Sequence, residues 1–430
     1  MRSRRPHRSS RRQRGAAALV VTMLLVFAML IVVAVANRNA IVETRASANQ
    51  YRSTQSFEAA EAGLEWALAR LNDNTPIGDD CLPSADPAAP SFRERHLRDD
   101  GAGFVAATGD DAGTPVPLQA ACVRGESGWS CSCPASGAAV VADPEGSATA
   151  PGFTLQFADG ARPGIVRAIA TGCTRRGAPC MAISDAGHEA AARLEVALGL
   201  IAGLRAAPAA ALTVGGNLDA GASALGVHNR DAASGGIAIH AGGSVAGNAL
   251  RLSAPPGSPL DGSPLDGSLV SGDTQLAALA GDRFFARWFG MDRAAWRAQP
   301  AAVPVACAGN CATTVSNAVA TGARLVALEG DATLDGPLEL GTPERPVVLL
   351  VDGTLRLRGA VTLHGVVVAG ALEWRDAAAD SGALIRGAAL IEGSYQGDAA
   401  ADLAHDASLL ARLQRETGSF ARVNGSWKDF

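Results

Sequence analysis

The chain has 430 residues, a formal net charge of −5 and only 4% aromatic residues. That length leaves room for roughly two or three domains beyond a terminal segment, and the modest acidic balance gives no sign of nucleic-acid binding. Lys428 is the only lysine, which removes lysine-dependent phosphate loops and Schiff-base chemistry from the rest of the chain.

The basic residues gather at the start, where seven arginines (2, 4, 5, 8, 11, 12 and 14) precede Gly15. From Ala16 to Ala36 there is no charge. That run is about 31 Å long as a helix at 1.5 Å per residue, close to the hydrocarbon thickness of a bilayer. The arginine cluster predicts that everything after Ala36 faces away from the cytoplasm. Between Asn37 and Asn74 there is no proline and one glycine, Gly63, so the helix is expected to continue. Ile41, Ala48, Phe57, Ala60, Leu64, Ala67, Leu68 and Leu71 recur near helical spacing. A helix near 55 residues spans about 80 Å. Its second half needs a domain or neighbouring helices to cover it.

Gln13-Arg14-Gly15-Ala16-Ala17-Ala18-Leu19-Val20-Val21, followed by Phe57-Glu58-Ala59-Ala60-Glu61-Ala62-Gly63-Leu64, resembles the N-terminal region of PilX-type type IV pilus assembly proteins. These are minor pilins of Gram-negative bacteria, and the resemblance covers about residues 11–72. It implies a basic leader over 1–15, cut by a prepilin peptidase between Gly15 and Ala16, and a pilin-type helix over 16–74. Major pilins carry a buried glutamate at the fifth mature position; here that position is Val20. A buried carboxylate is costly unless paired, so its loss removes a cost and a docking contact together. The K-type pseudopilin of type II secretion, a tip subunit, shares the departure, so Val20 fits a tip or priming subunit. The resemblance implies other minor and major pilins and the assembly platform as partners, no nucleic acid, and no cofactor. It implies an inner-membrane protein with one span and a periplasmic C-terminal part, at the pilus surface or tip once assembled. Two other readings compete. Ala34-Val35-Ala36 has the form of a signal-peptidase site, though the apolar run exceeds the usual signal length, and an uncleaved anchor has the same topology.

All eight cysteines follow the membrane run: Cys81, Cys122, Cys131, Cys133, Cys173, Cys180, Cys307 and Cys311. An even number on the outward side reads as disulfides in an oxidising compartment. Cys173 and Cys180 flank a turn-rich loop, and Cys307 and Cys311 close a small one; the other four allow three connectivities. Zinc is the competing idea, but there is no Cys-x-x-Cys pair.

The expected fold class is α+β: the long helix, a pilin-like α+β head over 75–205, and a Gly-rich β-solenoid-like domain over 206–430 with a helical insert at about 272–300. Head strands are expected at Gly103–Ala107, Ala138–Ala142, Phe153–Phe157 and Ile165–Thr171, with Ala192–Leu198 either strand or helix end. Between Arg324 and Gln396, short apolar runs are punctuated by glycine with a period of about six, and 211–246 is similar. This reads as a right-handed β-solenoid or a smaller relative of one, with a Gly-rich antiparallel sandwich as the competitor. The duplicated Gly-Ser-Pro-Leu-Asp at 257–266 reads as loop. The aromatic stretch Leu276–Gln299 reads as a plug over the solenoid edge, or else a docking surface. Ala400–Gln414 is expected to be helical, Ser419–Val423 extended, and the C-terminus folded back onto the body.

No catalytic residues are assigned. The seven histidines are scattered, and neither Gly-x-Ser-x-Gly nor a phosphate-loop motif occurs. The expected function is structural, as a minor pilin. The alternatives are a type II secretion minor pseudopilin and, from another class, a membrane-tethered carbohydrate-active or adhesive β-solenoid protein. A solenoid face grooved with acidic and basic side chains favours the last; a flat aliphatic face favours the pilin.

Overall fold

The computed structural model describes residues 14–111, 114–136, 139, 141, 150–174, 180, 190–253, 268–379 and 381–429. Residues 1–13 of the expected leader, most of the strand expected at 138–142 and the duplicated stretch at 257–266 lie outside them.

One helix runs Arg14–Asn72, 59 residues or about 88 Å. Its membrane-length half is bare: Leu19, Val20 and Phe27 are 60%, 54% and 62% exposed. Burial begins at Ser56 and continues through Ala60, Leu64, Ala67 and Leu71, a stripe with steps of three and four residues. Ile41, Ala48 and Phe57, expected on the covered face, are exposed. The head reaches only the last quarter of the helix.

The head is a seven-stranded antiparallel sheet laid against that stripe. Its order is Gly418–Arg422, Ala191–Ala202, Ile165–Cys173, Gly152–Asp159, Gln119–Gly125 and Gly128–Ser132, with Lys428–Asp429 also paired to Ala191–Ala202. Alternation decides which residues face the helix. Val166, Ala168 and Ala170 are buried, as are Leu194, Val196 and Leu198 on the neighbouring strand. The choice left open at Ala192–Leu198 falls to strand. Ala202 pairs with Gly418, so everything between them is an insertion between two neighbouring head strands. The head therefore extends beyond the expected 75–205 and takes in 418–429.

The insertion is built on a sixteen-stranded sheet whose ladders are all parallel, in three columns. The parallel pairing excludes the antiparallel sandwich. In one inward row Val326 pairs with Leu349, Leu349 with Val367, and Val367 with Ala389. The six-residue glycine spacing marks single strands and corners, and about three of them make a coil. Glycine is obligatory where corners stack closely: a Cβ on Gly365 (φ +153°) would lie 1.8 Å from the Val347 carbonyl oxygen, and one on Gly387 (φ +134°) 2.0 Å from that of Gly365.

The coils are not stacked in chain order. Ala389 pairs with Leu212, and Leu212 with Ile239, so the first coil of the insertion sits on the last. From Leu269–Val270, at one end of the stack, the chain crosses to Ala302–Val305 at the other. The crossing is made by the helices Thr274–Ala277, Asp282–Phe289 and Arg293–Arg297. Their Phe284, Phe285, Phe289 and Trp296 are buried against Leu325, Val348, Leu350, Val366, Val368 and Leu390. These are the residues that alternate with the inward row. The aromatic stretch is thus a lining over the outer face of one column, neither an edge plug nor an open docking surface.

At the chain end, helix is expected from Ala400, but Asp402–His405 is a strand and the helix is Ala407–Glu416. Leu403 supplies an inward rung between Ile385 and Val227, and that long-range pairing overrides the local preference. Asp406 then caps the helix by accepting from the Leu409 amide.

Candidate functional site: the exposed helix and its seat

The seat on the head explains the second motif. In Phe57-Glu58-Ala59-Ala60-Glu61-Ala62-Gly63-Leu64, the buried residues are Ala59, Ala60, Gly63 and Leu64, while Phe57, Glu58 and Glu61 are exposed. Small residues let two backbones meet. A Cβ on Gly172 of the central strand would lie 2.1 Å from the Ser56 carbonyl oxygen and 2.4 Å from the Ala60 nitrogen. One on Gly63 would lie 2.9 Å from the Phe153 ring. Trp66 closes the seat with its ring 5.1 Å from Phe92 and 5.8 Å from Phe153.

The end of the helix is clipped to both ends of the head. Asn72 donates to the Phe420 carbonyl at 3.0 Å and accepts from its amide at 2.7 Å. Arg93 is buried and donates to the Leu71 carbonyl at 2.7 Å, the Glu416 carbonyl at 3.1 Å and the Gly418 carbonyl at 2.9 Å. Burial, with Arg324 nearby, pulls its guanidinium down to about 9. Arg93 lies on the short helix Phe92–His96, which opens with a capping box between Ser91 and Glu94. That box is readable as Ser-x-x-Glu after Pro90, a signal the sequence reading missed. His96, against Phe92 and Phe157, is held neutral: burial, then the Arg95 charge, lowers it to about 3.

Of the residues singled out in the sequence, Gly15 and Ala16 lie in the helix's first turn and Val20 is exposed one turn on. The cysteines pair as Cys81–Cys133, Cys122–Cys131, Cys173–Cys180 and Cys307–Cys311. The first joins the helix–sheet connection to the head sheet's edge, and the second staples directly opposed residues of two strands.

The surface of the coiled insertion carries ion pairs. Arg356 bridges Asp331 and Glu373, and Arg386 pairs with Asp406. On the third column, His228 Nδ1 is 2.8 Å from Ser253 Oγ and its Nε2 3.4 Å from Asp402 Oδ1. Asp402 is held more closely by Arg251, at 2.7 Å.

The bare half is the one helical segment among the described residues long and apolar enough to cross a membrane, and the head is seated only on its far end. The match is specific: residues 14–65 fit the family model described as PilX N-terminal. That match lies wholly within the helix and is consistent with a PilX-type pilin N-terminal region. No curated protein and no solved structure matches the chain.

Proposed function

We propose that this chain is a minor pilin that acts structurally in type IV pilus assembly, as a priming or tip subunit. The observation that carries the reading is the PilX-type helix left uncovered up to residue 55, a surface that neighbouring pilin helices or lipid must cover. Its leader is removed after Gly15 by a prepilin peptidase. Its helix crosses the inner membrane once, and the rest lies in the periplasm, where four disulfides are at home. Its partners are major and other minor pilins and the assembly platform. N-terminal sequencing of the membrane-extracted protein should begin at Ala16; a start at Asn37 would refute the reading. Deleting the gene should lower the number of pili far more than their length. Immunogold label spread evenly along the shaft, at major-subunit density, would exclude the tip placement. A minor pseudopilin of type II secretion differs in partner and not in chemistry.

One observation favours a reading of another class, a membrane-tethered carbohydrate-active protein: the Ser253–His228–Asp402 array on the charged solenoid face. An activated serine there would hydrolyse p-nitrophenyl acetate, with the activity lost in Ser253→Ala. The 2.7 Å hold of Arg251 on Asp402 weakens this reading.

A further inference from the structure

Where the head meets the end of the solenoid there is an open cavity of about 480 Å³. Its walls come from the Asn74–Phe104 region of the head, the loop after the solenoid helix Ala312–Ala320, the Gly341–Val347 turn, and the helix Ala407–Glu416. Sites for small ligands are commonly of this size and occur between structural units.

The charges in this cavity are unbalanced. Arg93, Arg98, Arg324, Arg345 and Arg412 line it against Glu94, Asp99 and Glu416. Arg93 donates to backbone carbonyls and lies over the Phe420 ring, 5.1 Å from its centroid, so its charge has no hydrogen-bonded carboxylate. Arg324 has 12% of its side chain exposed, yet its two carboxylate partners, Glu94 and Glu416, each stand at 3.7 Å, beyond good hydrogen-bond distance. Arg345 and Arg412, each over a third exposed, stand at the rim. Burial lowers the proton affinity of Arg324, Glu94 and Glu416 act against it, and the Arg345 and Arg412 charges lower it further. The Arg324 Nε donates to the Pro346 carbonyl at 3.2 Å and its Nη2 to the Glu344 carbonyl at 3.5 Å, so an incoming carboxylate would add the short charge-assisted hydrogen bond that no carboxylate of the protein supplies. Leu97, Phe104 and Val347 provide an apolar wall for the rest of the ligand.

We infer that this cavity binds a small carboxylate ligand, up to a sugar ring or two in size, gripped by Arg324 with Arg345 and Arg412 at the mouth. The inference is independent of the pilin reading, because it concerns the head–solenoid junction and not the helix.

The test titrates the detergent-solubilised full chain with D-glucuronate, malonate and neutral glucose, following binding by calorimetry and thermal shift. Glucuronate or malonate should bind saturably and raise the melting temperature, and glucose should do neither. A response to glucuronate alone marks a sugar acid; equal responses mark a free dicarboxylate. Arg345→Gln and Arg412→Gln, chosen because they are partly exposed, should each weaken binding about tenfold or more, as expected for loss of a charge-assisted hydrogen bond. Arg98→Gln, at an exposed position, serves should either of them fail to fold. No binding by either anion, binding equal to that of glucose, or anion binding undiminished in the folded variants would overturn the site.

Discussion

Replacing Gly172 by alanine should unseat the helix. The added methyl would fall 2.1 Å from the Ser56 carbonyl oxygen and 2.4 Å from the Ala60 nitrogen. Both are helix backbone, which cannot rotate away, so the helix must lift by about 1 Å to restore ordinary contact. A gap of that size forfeits roughly a quarter to a half of the dispersion attraction across the seat. Over a stripe that includes the buried Leu64 and Leu71, we expect a loss of about 3 kcal/mol, at the upper end of overpacking costs. In a head of this size that lowers the melting temperature by roughly 6–12 °C. The assay is thermal unfolding of the detergent-extracted protein by near-ultraviolet circular dichroism, with Trp66→Phe as the reference that isolates the signal of the seat from the other five tryptophans. Two comparisons make the result decisive. Gly63→Ala meets side chains and not backbone, the Phe153 ring at 2.9 Å and Ala170 Cβ at 3.2 Å, and gains about 1 kcal/mol of helix propensity, so it should cost clearly less than Gly172→Ala. Adding Ala60→Gly to Gly172→Ala should not rescue stability, because the obstruction is backbone. Rescue by that second change, or a Gly172→Ala protein as stable as the parent, would refute the close-approach argument.

His96 gives an acid-sensitive term. It is held near 3 in the folded state against an ordinary value near 6.5, so the unfolded chain binds the extra proton between those values and stability falls as pH drops through that window. Relative to His96→Phe, the parent should lose about 2 kcal/mol between pH 7 and pH 5, read from urea midpoints; parallel acid limbs would count against it. Replacing Cys81 and Cys133 together by serine opens a loop with a separation of 52 residues, for which chain entropy predicts about 4 kcal/mol. The Cys307–Cys311 pair, separated by 4, should cost only about half of that, and equal losses in thermal unfolding would show that strain or packing dominates.

The sequence made some of this legible for definite reasons. The helix was readable because an uncharged membrane-length run and a proline-free continuation are local signals. Stacked strands were readable from glycine spacing, because each corner needs its own glycine. The order of stacking was not. Nothing near Leu212 says that its partner is Ala389, since parallel ladders join residues far apart in the chain. Gly172 was silent for a related reason: alone, a glycine in a strand reads as a weak point, and its role appears only when Ser56 and Ala60 lie against it. The arginine clip is similar. Ser91 and Glu94 announce a helix start, but the carbonyls that Arg93 serves come from residues 71, 416 and 418.

The way the coiled insertion is attached bears on where the proposed subunit would fit in a fibre. It enters after Ala202 and leaves before Gly418, and these two residues are directly paired in the head sheet. Its own first and last coils are also neighbours, through Leu212 and Ala389. An insertion whose ends lie side by side leaves the host sheet unbroken, so the head can keep its seat on the helix while carrying a body with a separate core. That body meets the helix at its far end: Asn72–Thr75 share a cleft with Ala301, Val303 and Ala318. On the proposed reading, this is the end farthest from the membrane, where a preceding subunit would stack in a shaft. Val20 argues the same way from the other end of the helix, since without a carboxylate the subunit forgoes the buried pairing expected of interior positions. Bulk beyond the helix end and the missing charge near its start both disfavour a place within the shaft, and neither hinders a subunit with nothing ahead of it.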